Sequence, residues 1–147
     1  MKKFEFKLNK VLEVRQIEED QAQNRLLEAQ QKERNIKKEI LSLQDKQNDL
    51  YQYLRDQEGI TLEENMLYRG FIQKNRQNIK NSEKSLFAQQ EEVRLVRGDF
   101  LEKRKKREVL KKLKEKNYKR YYKEMLLKEQ KVLDEIGSRA QGIRGYN

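Results

Sequence analysis

The chain has 147 residues, with 35 Lys and Arg against 25 Asp and Glu, a formal net charge of +10, and no Pro, Cys, His or Trp. With 41% charged and 35% hydrophobic residues, it cannot bury the core of an ordinary globule, and its abundance of Leu, Glu, Lys, Gln and Arg points to long helices on a narrow apolar seam rather than to disorder. Without Cys or His there is no disulfide, thiolate zinc site or Ser-His-Asp triad, and no glycine-rich nucleotide loop is present.

The first predicted element runs from Leu8 to Leu54. Its seam follows alternating steps of four and three: Leu8, Leu12, Arg15, Glu19, Ala22, Leu26, Ala29, Glu33, Ile36, Ile40, Leu43, Gln47, Leu50, Leu54. Ten of these fourteen positions are apolar. A 3.5-residue repeat marks a left-handed coiled coil, and a helix of this length cannot stand without a cover for its stripe.

The segment RDQEGITLEEN interrupts it. Gly59 suits a helix end with φ > 0. Thr61 followed by Glu64 forms a capping box, so a second helix starts near residue 62. Gly70 and the polar run QKNRQNIKNSEKS read as poor helix, which makes 57–82 a broken, mobile tip.

The second arm, about 83–136, carries a seven-residue spacing through Ile72, Ile79, Leu86, Val93 and Phe100, with Val96 and Leu110 in the companion row. The spacing then changes to eleven, as between Leu110, Tyr121 and Val132 or Met125 and Ile136, and an eleven-residue repeat straightens or reverses a supercoil. The helix is expected to fray near Gly137, leaving 137–147 as a flexible tail. The predicted fold is all-α: a monomeric, long two-helix antiparallel coiled-coil hairpin with a broken helical tip, a single domain with its first arm at about 4–56 and a length of ~90–100 Å.

Where the chain folds back is argued from charge. Residues 97–131 hold fifteen Lys or Arg and six Asp or Glu, whereas the rest holds twenty and nineteen. A pivot at Gly59 would set the basic stretch beside the first sixteen residues, with five positive and two negative charges. A pivot near Gly70 would set 107–122 beside 18–33, with five acids and two bases. Opposite charges flanking a seam set partner orientation, so the second pivot is expected, placing Leu8 roughly opposite Val132.

Lys103, Arg104, Lys105, Lys106, Lys111 and Lys112 make the candidate basic surface. Three readings stay open: a solvated coiled-coil face, a contact for an acidic protein partner, or binding of nucleic acid or anionic lipid. Tyr118 and Tyr122 are candidate outward contacts, and Tyr121 a seam residue. Tyr51, Tyr53, Tyr68 and Phe71 gather at the tip, as a capping mini-core or a docking patch. Carboxylate pairs such as Glu18/Glu19 and Glu91/Glu92 sit on adjacent helix positions that point apart, so no catalysis, cofactor or metal is expected. No apolar run approaches the ~20 residues of a membrane span. The N-terminal MKKFEFKLNK lacks the apolar stretch of a secretory signal, and a cytoplasmic location is expected.

The opening FEFKLNKVLEVRQIEEDQAQ, with Phe4, Phe6, Leu8, Lys10, Val11, Leu12, Arg15, Glu18, Glu19 and Ala22, resembles the start of the FliJ proteins of the bacterial flagellar type III export apparatus. KEQKVLDEIGSRA, with Glu129, Gln130, Lys131, Leu133, Asp134, Glu135, Ile136 and Arg139, resembles that family's C-terminal segment. The resemblance implies a two-helix coiled coil similar to the γ-subunit stalk of rotary ATP synthases. It implies binding to the hexameric export ATPase, to the cytoplasmic domain of the export-gate membrane protein and to export chaperones, with peripheral association at the inner membrane. It carries the ATPase contact onto Phe4, Leu8, Val11, Leu12, Arg15, Leu133, Asp134, Ile136 and Arg139. Assignment of Tyr51, Tyr53, Tyr68 and Phe71 to the gate comes from their chemistry alone. The related virulence-type export stalk is a variant of this reading. A nucleic-acid-binding or scaffolding coiled coil is the alternative.

Overall fold

The computed structural model describes residues 2–144, with side chains for residues 2–142. Helix α1 spans Asn9–Asp56 and helix α2 spans Leu62–Arg144. The two pack against each other, and no strand occurs among the described residues. The all-α two-helix class is therefore as expected. The chain divides into two compact units, one made of Met1–Glu19 with Lys103–Asn147 and one of Asp20–Glu102.

In the second unit the fold-back is short. Gly59 takes φ 81°, in the left-handed region where a Cβ is penalised. Thr61 Oγ1 accepts the Glu64 N–H at 3.2 Å, and the Thr61 carbonyl accepts the Asn65 N–H at 3.0 Å, so α2 starts at Leu62 as the capping box predicts. The expected broken tip over 57–82 is corrected. The break is confined to 57–61, and α2 passes through Gly70 and the polar run without interruption. Gly70 costs about 1 kcal/mol against Ala in a helix, and this is outweighed because Ile72 and Asn75 are buried and Ile79 and Ser82 half-buried at seam spacing on either side of the polar residues.

The core of this unit joins Leu26, Ala29 and Val93, with Val96 and Phe100 packed on them. Ala22, Ile40 and Ile72 are buried as well. Polar seam residues form hydrogen bonds across the helices. Gln89 Nε2 donates to the Ala29 carbonyl at 2.9 Å. Asn75 Nδ2 donates to the Leu43 carbonyl at 2.9 Å and to Gln47 Oε1 at 2.8 Å. Arg25 and Asp99 pair at 3.5 Å on the flank.

In the first unit the same antiparallel sense holds. Arg107 meets Glu19, Lys114 Nζ donates to Asn9 Oδ1 at 3.0 Å, and the Tyr121 hydroxyl donates to the Lys2 carbonyl at 2.5 Å. The basic stretch thus lies beside the first nineteen residues, not beside 18–33, and the expected pivot near Gly70 is corrected to 57–61. Magnitudes decide the alignment. A buried Leu, Ile or Val contributes about 1.5–3 kcal/mol, whereas exposed charge contacts are worth about 0–1 kcal/mol and are screened by salt. Seam burial therefore sets the alignment.

The expected change to an eleven-residue repeat is also corrected. Half-buried positions continue at Lys103, Arg107, Leu110, Lys114, Asn117 and Tyr121, an unbroken heptad. Apolar counting lost it because four of those six residues are Lys, Arg or Asn. Leu8 is not opposite Val132. It shares a hollow with Leu113, Asn117 and Tyr121, and Val132 is exposed. Nor does α2 end at Gly137: it continues to Arg144, because Gly in a helix is a modest penalty rather than a stop signal. The remainder of the expected tail, 145–147, lies outside the described residues.

Candidate partner-binding surfaces

The first surface is terminal. Before α1 the chain is irregular, and Phe6 is buried while Phe4 lies edge-on to Tyr118 at 5.3 Å and tilted against Tyr121 at 5.6 Å. These contacts tie residues 2–8 to α2. Leu12 and Arg15 are half-buried, and Arg15 pairs with Glu18 at 3.1 Å. Val11, Val14 and Ile17 stay exposed, a second apolar stripe three residues apart on α1.

Beyond Met125, every residue of α2 from Leu126 to Gly142 is exposed. Leu126, Leu127, Val132, Leu133 and Ile136 are all large hydrophobics in this stretch. Asp134 accepts from Gln130 Nε2 at 3.2 Å, and Arg139 is exposed. Among the described residues nothing covers this length of helix, although its apolar residues recur at helical spacing.

The second surface is basic. Lys105, Lys106, Lys111 and Lys112 are exposed. Arg104 Nε donates to Glu108 at 3.0 Å. Lys103 departs from this set, because it occupies a half-buried seam position. The unit that carries them holds twenty-one Lys and Arg against ten Asp and Glu, so it accounts for the whole positive balance of the chain.

The third surface is the tip. Tyr53 stacks on Tyr68 at 4.3 Å, and Tyr68 meets Phe71 edge-on at 5.8 Å. The hydrogen bond to Tyr68 pushes the Tyr53 phenol above its ordinary value, helped by partial desolvation and by the nearby Tyr68 and Glu64 charges. Tyr51 is not in this stack. Its hydroxyl accepts from Arg76 at 2.6 Å in a separate hollow of about 1080 Å³.

A family model described as Flagellar FliJ protein matches residues 4–144. The chain belongs to the flagellar FliJ family. No curated protein and no solved structure matches it. Membership makes the chain a component of the flagellar export apparatus, a family of structural export components, as the two end segments led us to expect. No helix is long and apolar enough to cross a membrane among the described residues, and no cluster of His, Cys, Asp and Glu there could hold a metal.

Within this FliJ-family chain, both end segments fall in one compact unit. Phe4, Leu12 and Arg15 are partly engaged by packing, whereas Leu133, Asp134, Ile136 and Arg139 all face solvent. Sequence reasoning missed Arg107 as a seam residue. Extending the spacing of Ile72, Ile79, Leu86, Val93 and Phe100 by seven arrives at it. It also missed the cations around Tyr51, which no linear motif announces because they come from both helices.

Proposed function

We propose that this chain is a stalk-like coiled coil that binds the hexameric flagellar export ATPase through its terminal unit and promotes ring assembly and hydrolysis. The observation that carries this reading is the uncovered stretch Leu126–Gly142, whose exposed Leu126, Leu127, Val132, Leu133 and Ile136 need a partner to leave water. Leu133, Asp134, Ile136 and Arg139 act there together with Val11 and Leu8, while Phe4, Leu12 and Arg15 hold the N-terminal segment in place. The basic residues Lys105, Lys106, Lys111 and Lys112 steer the chain towards acidic surfaces of the ring. Binding is the whole mechanism: the stalk favours one arrangement of the ring by contacting it better than the others.

The tip is the second contact of this reading, offered to the cytoplasmic domain of the export gate and to export chaperones. Its work places the chain in the cytoplasm at the inner membrane. The experiment is ATP hydrolysis by the purified export ATPase with increasing amounts of this chain. Stimulation is expected, and truncation of 133–147 is expected to abolish it. Full stimulation by that truncated chain sinks the reading.

A further inference from the structure

The Tyr51 flank of the tip carries a feature that neither the aromatic stack nor the family explains. Arg55, Arg69, Arg76 and Lys80 surround one open hollow, with contributions from both helices. No carboxylate lines it among the described residues. This is unexpected for its surroundings, since the unit that contains it holds fourteen Lys and Arg against fifteen Asp and Glu. Outside the hollow the same unit has ten cations and fifteen acids. Four like charges gathered around one hollow favour an anionic counterpart.

Two of the guanidinium groups are held in place. Arg69 Nε donates to Asn65 Oδ1 at 2.8 Å, and Arg76 donates to the Tyr51 hydroxyl at 2.6 Å. Orienting a planar guanidinium reduces what it loses on forming a two-pronged bond to a carboxylate. The rest of the lining is rich in amides, with Asn48, Gln73 and Gln77 beside Asn65. Amides both donate and accept, which matches the alternating N–H and C=O groups of a peptide backbone.

We infer that this hollow is a docking site for a short acidic peptide segment of a partner protein, its carboxylates taken by Arg69, Arg76, Arg55 and Lys80 and its backbone by the amides. A nucleic acid needs a continuous cationic track for its phosphates, and the acidic remainder of this unit opposes one. The hollow suits a few carboxylates with no long polyanion attached. The inference rests on the tip being a partner-facing surface, and it does not depend on the ATPase contact.

The test is fluorescence anisotropy of a fluorescein-labelled octapeptide rich in Glu and Asp, titrated with the full chain at 0.15 M salt. The double variant R69E/R76E is expected to weaken binding by about tenfold or more. R76Q alone should weaken it less, and K105E/K112E in the basic terminal unit should leave it within about twofold. Far-UV circular dichroism confirms that the variants remain helical, and R76Q serves if the double variant does not fold. Binding unchanged by the Arg69 and Arg76 variants, or lost equally with K105E/K112E, overturns the inference. So does a single-stranded oligonucleotide that displaces the peptide from this flank at equal concentration. The ATPase assay reads the two proposals apart: R69E/R76E should keep stimulation while losing the peptide.

Discussion

Glu19 and Arg107 form a two-pronged ion pair, at 2.5 and 3.2 Å, with side chains only 11% and 17% exposed. It sits at a seam position of each helix, where most coiled coils place an apolar residue. Arg107→Ala removes the two-pronged partner of the nearly buried Glu19 carboxylate and should destabilise the chain by about 3 kcal/mol, and Glu19→Ala should destabilise it as well. The double substitution Glu19→Leu with Arg107→Leu should recover most or all of that loss. Thermal unfolding followed by circular dichroism checks both. Single variants that melt with the wild type would mean that the pair is solvated.

The place of the fold-back gives a paired prediction. Gly59 holds a left-handed backbone, so Gly59→Ala should cost about 1–2 kcal/mol. Gly70 lies inside α2, and a Cβ added there meets nothing within 4 Å. Gly70→Ala should therefore stabilise by about 0.5–1 kcal/mol. Urea unfolding of the two variants should move the midpoint in opposite directions. The reverse order would restore a pivot at residue 70.

Asn75 is a buried polar residue of the seam. It is 3% exposed, and its Oδ1 has no partner among the described residues. Asn75→Leu should raise the unfolding midpoint, with a gain of about 1 kcal/mol, while weakening the preference for one alignment of the helices. Light scattering of the variant should then reveal species larger than the wild type's.

The Tyr53 phenol is raised above its ordinary value, chiefly by its hydrogen bond to Tyr68. A raised acid favours its neutral form in the folded state. The stack's contribution is therefore complete below the unfolded tyrosine pKa of about 10 and is lost as pH climbs through the folded one. Absorbance at 295 nm should show a late-titrating component that Tyr53→Phe removes. Glu91 shows the opposite sign. The Arg94 hydrogen bond holds its carboxyl below the usual range, so that pair's contribution is present at neutral pH and fades on acidification.

Residues 126–142 make no covering contact among the described residues, so their backbone hydrogen bonds should open readily. Within the helices, hydrogen exchange should be faster there than around Leu26, Ala29 and Val93, where the seam is buried. Ile136→Asp should leave thermal stability unchanged and reduce ATPase stimulation several-fold. A melting point lowered by that substitution would place Ile136 in a packed interface of the free chain.

Much of this architecture was legible from spacing. Arg15, Glu19, Glu33 and Gln47 are polar, yet each is buried or half-buried where the four-three alternation puts it. Thr61 and Glu64 marked the start of α2 correctly because a capping box is a local device. The alignment of the helices is not legible from charge, because seam burial outweighs exposed charge contacts. The heptad beyond Phe100 escaped notice because Lys103, Arg107, Lys114 and Asn117 occupy its inner positions. The cationic hollow beside Tyr51 was not legible, since Arg55 and Arg76 become neighbours only when the chain turns back.

The α2 side of the terminal seam is lined largely by Lys103, Arg107, Lys114 and Asn117. A seam turn closed by such residues buries less apolar surface than one closed by Leu, Ile or Val. That stretch therefore owes less of its closure to apolar burial than the seam around Leu26 and Val93 does.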